Sequence, residues 1–273
     1  MTRHDSLVDA MRGGRPLPFP VIDIHAHIGL LNVFWMPHSD AAGMLAEMDA
    51  LGVAAAAVSS HCAISSDAAV GNDEVARACR MFPGRFIGYA CANPHYPDLV
   101  VDELKRCFDT HGFRMIKVHP GTHVYPLTGP LYRKVYEFAE ERGAPILTHT
   151  WHSDPTCSPE VAAEVARRHS TVTWLWGHSG GSAFDRTLEL ACDLPNVYLD
   201  LASSFVVNGQ MELFLSRVPA EKVVFSSDMP FLSLPQQVAK VVFADIPEAA
   251  KRKILHDNSA GILESAGLRA PGA

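Results

Sequence analysis

Eight short apolar runs, separated by segments of helical periodicity, constrain this chain of 273 residues more than any other feature. They lie at residues 21–28, Ala54 to Ser59, Phe86 to Cys91, Met115 to Val118, Pro145 to His149, Val172 to Gly177, Val197 to Leu201 and Val223 to Ser227. Strands that are apolar along their whole length, each followed by a helix, are the mark of parallel strands buried on both faces. Ala41-x-x-Met44-Leu45-x-x-Met48 and Leu131-x-x-x-Val135-x-x-Phe138-Ala139 show the helical spacing, and Gly143 supplies a natural stop for the second. A (β/α)8 TIM barrel, which typically takes ~250 residues, fits this length as one domain. The competing doubly wound sheet calls for a glycine-rich phosphate turn after its first strand, whereas here that strand ends His-Ala-His-Ile-Gly. The expected organisation is a lead-in over 1–20, ending in Pro16, Pro18 and Pro20, a barrel over 21–265 and a tail over 266–273.

Charge and composition remove several functions. The net charge is −7, and the basic pairs and triplets, Arg167-Arg168 and Lys251-Arg252-Lys253, read as helix-face or helix-end charges, so no nucleic-acid surface is expected. No uncharged apolar run approaches the ~20 residues that span a bilayer. Residues 1–15 lack the apolar core of a secretory signal, which leads us to expect a soluble, cytoplasmic protein. The cysteines at 62, 79, 91, 107, 157 and 192 form no C-x-x-C pair and are expected as free thiols. A homodimer is compatible with the sequence, which does not locate an interface.

Chemistry in such barrels sits at the C-terminal ends of the strands. The first run carries His25 and His27, two residues apart on a strand and therefore on one face, where two imidazoles can share an ion. The fourth carries Lys117, the fifth ends at His149, the sixth is followed by His178 and the eighth by Asp228. Taken singly, each has a structural reading: a histidine bonded to backbone, a snorkelling lysine, an aspartate capping the turn before Pro230. Their joint occurrence at the same end of separate strands favours a metal site.

This set, with the strings Asp-Ile-His-Ala-His, Ile-Lys-Val-His-Pro, Gly-His-Ser-Gly-Gly, Ser-Ser-Asp-Met-Pro and His256-Asp257-Asn258-Ser259-Ala260, resembles the amidohydrolase superfamily, in particular its amidohydrolase-2 branch related to aminocarboxymuconate semialdehyde decarboxylase. The resemblance spans about residues 20–265 and implies that His25, His27, His149 and Asp228 bind a divalent metal, zinc ahead of manganese. It implies that His178 either orients water on that metal or binds a second one. Lys117 has two readings: carbamylated and bridging two ions, or unmodified beside one ion. A lysine desolvated at a barrel rim has a lowered pKa, which permits the first; an ammonium facing a substrate carboxylate permits the second.

A divalent ion held by imidazoles and one carboxylate supplies hydroxide near neutral pH. Asp228 would then move the proton to the leaving group while His178 supports the developing oxyanion. Hydrolysis of an amide, ester or lactone in a small molecule is the first expectation. Decarboxylation or hydration of an aromatic or unsaturated acid is the alternative, and a non-catalytic binding barrel the third. Loop residues expected around the pocket are Phe34, Trp35 and His38, His61 and Cys62, His95 and Tyr96, His119, His123 and Tyr125, Trp151 and His152, and Phe205. Trp35, Tyr125, Trp151 and His152 are the expected substrate contacts, suited to an aromatic or unsaturated molecule. Arginine is scarce in these loops, Arg114 lying before the fourth-strand lysine, so no clamp for several carboxylates is visible.

Overall fold

The computed structural model describes residues 5–31, 33, 35–204 and 207–271; Phe34 and Phe205 lie outside the described residues. Eight strands run parallel in sequence order: β1 Val21–Ile28, β2 Val53–Ser60, β3 Phe86–Cys91, β4 Met115–Val118, β5 Ile146–His149, β6 Trp174–Gly177, β7 Val197–Asp200 and β8 Val223–Val224. The chain just beyond β8 closes the barrel onto β1. Ile24 N donates to Phe225 O at 3.1 Å, Asp228 N to His25 O at 2.8 Å, and His27 N to Met229 O at 2.7 Å. This closure puts Asp228 beside the two histidines.

Burial on both faces explains why the runs carry so little polar alternation. Ile22, Ile24, Ala57, Tyr89, Met115, Leu147, Leu175 and Val224 fill the barrel interior, where the Tyr89 hydroxyl is satisfied by donating to Ile24 O at 2.7 Å. Val21, Ala26, Ile28, Val58, Ile116, Val118, Ile146, Trp174 and Trp176 pack outward against the helices. Within β1 the register against β2 shifts between Asp23 and Ala26, at the step from the apolar filling to the histidine layer. There the Asp23 carboxylate accepts from His25 N at 3.1 Å and Ser227 N at 3.0 Å, tying the two strand ends together. β8 is shorter than the apolar run that foretold it, because Ser226 and Ser227 bond to the side chains of Asp200 and Asp23.

The helical expectations correspond to helices at Ala41–Leu51 and Arg133–Arg142, the latter ending at Gly143 with φ 61°. The lead-in contains a helix, Ser6–Arg12, which its composition did not announce; Asp5 caps it by accepting from Leu7 N and Val8 N. Lys251 stands in the last turn of the helix Glu248–Arg252, the helix-end place its basic run suggested, but it is buried. Its side chain is 1% exposed, and Nζ donates to Asp5 Oδ2 at 2.5 Å and Val242 O at 2.6 Å, fastening the N-terminal helix to the barrel. Among the described residues no helix is long and apolar enough to cross a membrane.

Candidate metal centre

His25, His27 and Asp228 are all buried, and each offers a ligand atom within 4.8 Å of the other two. His25 Nε2 lies 3.2 Å from His27 Nε2, and Asp228 Oδ1 is 3.0 Å from His27 Nε2 and 3.6 Å from His25 Nε2. Asp228 adopts a left-handed φ of 59°, a conformation that costs a non-glycine residue about 1 kcal/mol or more and often marks a functional site. Its backbone is held there by the bond to His25 O and by Leu232 N donating to Asp228 O at 3.1 Å.

The partners of the ring nitrogens fix what the rings can do. His25 Nδ1 is 2.7 Å from Asp200 Oδ2; a carboxylate can only accept, so Nδ1 carries the proton and Nε2 presents its lone pair to the cluster. His27 Nδ1 is held by the Ser59 hydroxyl at 2.9 Å, leaving Nε2 for the cluster. Asp200, at the end of β7, also accepts from Ala202 N at 2.8 Å, Ser226 Oγ at 2.5 Å and, more weakly, His178 N at 3.4 Å.

Burial keeps the imidazoles neutral: it lowers His27 to about 4 and holds His25 well below its ordinary value, with the Lys117 charge adding to the effect on both. Burial pushes the Asp228 carboxyl up, but its contact with His27 and the nearby His178 and His25 outweigh it, leaving a carboxylate well below the usual range. Two neutral imidazoles and one carboxylate, all buried and with their ligand atoms turned toward each other, make a donor set that fits a divalent cation. A further orphan is His149 Nδ1, buried with no hydrogen-bond partner.

The remaining expected residues fall into two groups. Lys117 is fully buried, its Nζ 2.9 Å from His25 Nε2, and burial lowers its pKa to about 8 against the opposing pull of Asp228 and Asp200. His178 donates from Nδ1 to Ala202 O at 2.7 Å, and its ring centroid is 5.2 Å from that of His25 and 4.6 Å from that of His149. His149 stacks on His119 at 4.3 Å and lies outside the three-residue cluster. His119, His149 and His178 line one cavity of about 330 Å³, with His27, Asp228, Trp151 and the apolar Leu31, Ile64, Phe231 and Leu232.

Trp35, Tyr125 and His152 are not among that cavity's lining residues. Trp35 is 81% exposed and borders a separate groove with Met36 and Pro37. The Tyr125 hydroxyl accepts from Leu131 N at 3.0 Å and its ring packs on Tyr132 and His95, a role inside its own loop. His152 turns toward Ser182 and is exposed.

His61, at the end of β2, stacks on His27 at 4.6 Å and donates from Nδ1 to Gly29 O at 2.9 Å. It was legible only as a loop residue. Asp200 was not singled out at all, although it closes a strand as His149 does; the rule of inspecting every strand end would have found it.

The amidohydrolase family profile matches residues 22–264. Among solved structures, 2,6-dihydroxybenzoate decarboxylase from Rhizobium superposes with a TM-score of 0.73 at 19% identity, covering 90% of this chain and 98% of that one. 4-Oxalomesaconate hydratase from Rhodopseudomonas palustris gives 0.67 at 17%, covering 90% and 96%. 5-Carboxyvanillate decarboxylase from Novosphingobium aromaticivorans, complexed with manganese and 4-hydroxy-3-methoxy-5-nitrobenzoic acid, gives 0.70 at 13%, also covering 90% and 96%. At these identities the likeness to the structures is one of fold, while the family match extends over almost the whole barrel. The chain therefore belongs to the amidohydrolase family, in its amidohydrolase-2 branch.

Proposed function

We propose that this protein is a metal-dependent lyase that removes carbon dioxide from a small hydroxy-aryl or unsaturated acid. The observation that carries the reading is one compact donor set, His25, His27 and Asp228, opening onto a cavity walled by Leu31, Ile64, Trp151, Phe231 and Leu232. The decarboxylases and the hydratase among its fold neighbours support it. His25, His27 and Asp228 would hold the ion, with His149 as a fourth donor from the cavity wall. Zinc is the ion we propose for this donor set, and manganese, present in one of those neighbours, is its competitor.

When bound, the ion supplies positive charge that polarises the oxygen atoms of the substrate. The apolar walls seat the ring and exclude water, which strengthens the polar contacts. His178, with Nδ1 committed to Ala202 O, lines the cavity and orients the substrate there. Asp228, ionised in the free enzyme, takes the substrate hydroxyl proton and returns it to the ring carbon bearing the carboxylate. The bond from that carbon to the carboxylate then breaks, its electron pair restores the ring, and carbon dioxide leaves.

The contact of Lys117 Nζ with His25 Nε2 favours a second reading, hydrolysis of an amide, ester or lactone, with carbamylated Lys117 bridging two ions. The two are separated by offering the zinc- or manganese-reconstituted protein carboxyl-labelled hydroxybenzoates and, in parallel, a panel of amides, esters and lactones. Labelled carbon dioxide supports the lyase. Hydrolysis accompanied by silence on every acid overturns it.

A further inference from the structure

We infer that Asp154 forms the far end of the substrate site and selects a substrate whose end remote from the reacting carbon carries a hydrogen-bond donor, an amino or hydroxyl group, and no second carboxylate. This deepens the lyase reading and rests on it.

The cavity joins two opposite arcs of the rim. His27 and Asp228 come from β1 and from the end of β8, whereas Asp154 follows β5 and adjoins Gly121 and Thr122, which follow β4. In an eight-stranded barrel of sequential order, β4 and β5 face β1 and β8 across the axis. Asp154 thus lines the side of the cavity across from His27 and Asp228, within reach of the remote end of a ring held at the donor cluster.

The carboxylate there is fixed. Its Oδ1 accepts from Thr156 N at 2.8 Å and Thr156 Oγ1 at 2.6 Å, while Oδ2 reaches over Gly121. A Cβ at position 121 would stand 2.6 Å from Oδ2, so the missing side chain is what gives that oxygen its place. Among the described residues the cavity is lined by no lysine or arginine, and Lys117 is wholly buried against His25. A second carboxylate at the remote end would face Asp154 without a neutralising partner, while an N–H or O–H would find an oriented acceptor.

The test uses two probes, 2-hydroxybenzoate carrying either an amino or a carboxyl group at its 4-position, titrated calorimetrically into the zinc-loaded full chain and into Asp154→Asn. Asparagine keeps an oxygen for Thr156 and replaces Oδ2 with an amide N–H₂. The wild type is expected to prefer the amino probe by about tenfold or more, and the variant to lose or reverse that preference. An amino-to-carboxyl affinity ratio that is the same in both proteins overturns the inference, as does failure of both probes to bind at millimolar concentration. Carbon dioxide release is followed separately. Selective binding without release overturns the lyase reading and leaves the selectivity standing; release with a ratio unmoved by Asp154→Asn does the reverse.

Discussion

Replacing Asp200 by asparagine should weaken metal binding without unfolding the protein. Asp200 is fully buried and holds His25 Nδ1 at 2.7 Å with one oxygen, while the other takes Ala202 N and Ser226 Oγ. In Asp200→Asn the oxygen that keeps two donors satisfied stays with Ala202 and Ser226, and the amide N–H₂ is turned to His25. Donor then faces donor unless the imidazole moves its proton to Nε2, and that move removes the lone pair aimed at His27 and Asp228. Loss of such an outer partner lowers metal affinity about 10- to 100-fold, equivalent to about 1.4–2.7 kcal/mol. Apo stability has two opposing changes. A charge-assisted bond worth about 1.5–3 kcal/mol becomes a poorer neutral one, but a buried charge, whose pKa is already raised by burial, is removed. The net change in urea unfolding of the apo protein should therefore be small, within about 1 kcal/mol. Competition for zinc against a chromogenic chelator measures the affinity. A variant that binds zinc as tightly as the wild type, with unchanged apo stability, would refute the tautomer assignment.

Three further outcomes follow from particular contacts. His178→Asn should keep its metal, since the proposed mechanism gives His178 to the substrate and not to the ion, yet lose activity by about 100-fold or more; loss of the metal instead would make His178 a ligand. Gly71→Ala should destabilise by about 1–3 kcal/mol, because its Cβ would stand 2.2 Å from Ala63 N and 2.5 Å from Ala63 Cβ, and a melting temperature equal to the wild type's would contradict the packing. Burial raises the Asp5 carboxyl, but Lys251 and the cap N–H bonds outweigh it and leave the group below its ordinary value. The carboxylate's contribution is therefore complete above that ordinary value and is lost as pH falls through the lowered one. Asp5→Asn should cost about 1–2 kcal/mol at pH 7, a difference that shrinks below about pH 4; a constant difference down to pH 2 would exclude the ion pair.

The barrel was legible because its strands are buried on both sides, so hydrophobic runs and their spacing carried the signal. Their ends were less so, as β8 shows, where side-chain bonds from Ser226 and Ser227 replace ladder bonds. The helix at Ser6–Arg12 was missed because its anchor, Lys251, lies 246 positions from Asp5. Three of the expected ligands, His25, His27 and Asp228, could be grouped from strand ends alone because closure of β8 on β1 puts them together. Substrate contacts could not. Whether an aromatic in a loop faces the cavity, as Trp151 does, or its own loop, as Tyr125 does, depends on turn geometry that periodicity does not encode. Asp154 was hidden in the same way, since its meaning depends on Gly121, from a different loop.

The most direct test is the metal content per chain, by elemental mass spectrometry, of the protein reconstituted with zinc and dialysed, beside His27→Ala and Lys117→Met. One equivalent in the wild type, retained in Lys117→Met and lost in His27→Ala, is the result a single ion at His25, His27 and Asp228 predicts. Two equivalents that fall in Lys117→Met, or none in the wild type, would contradict it.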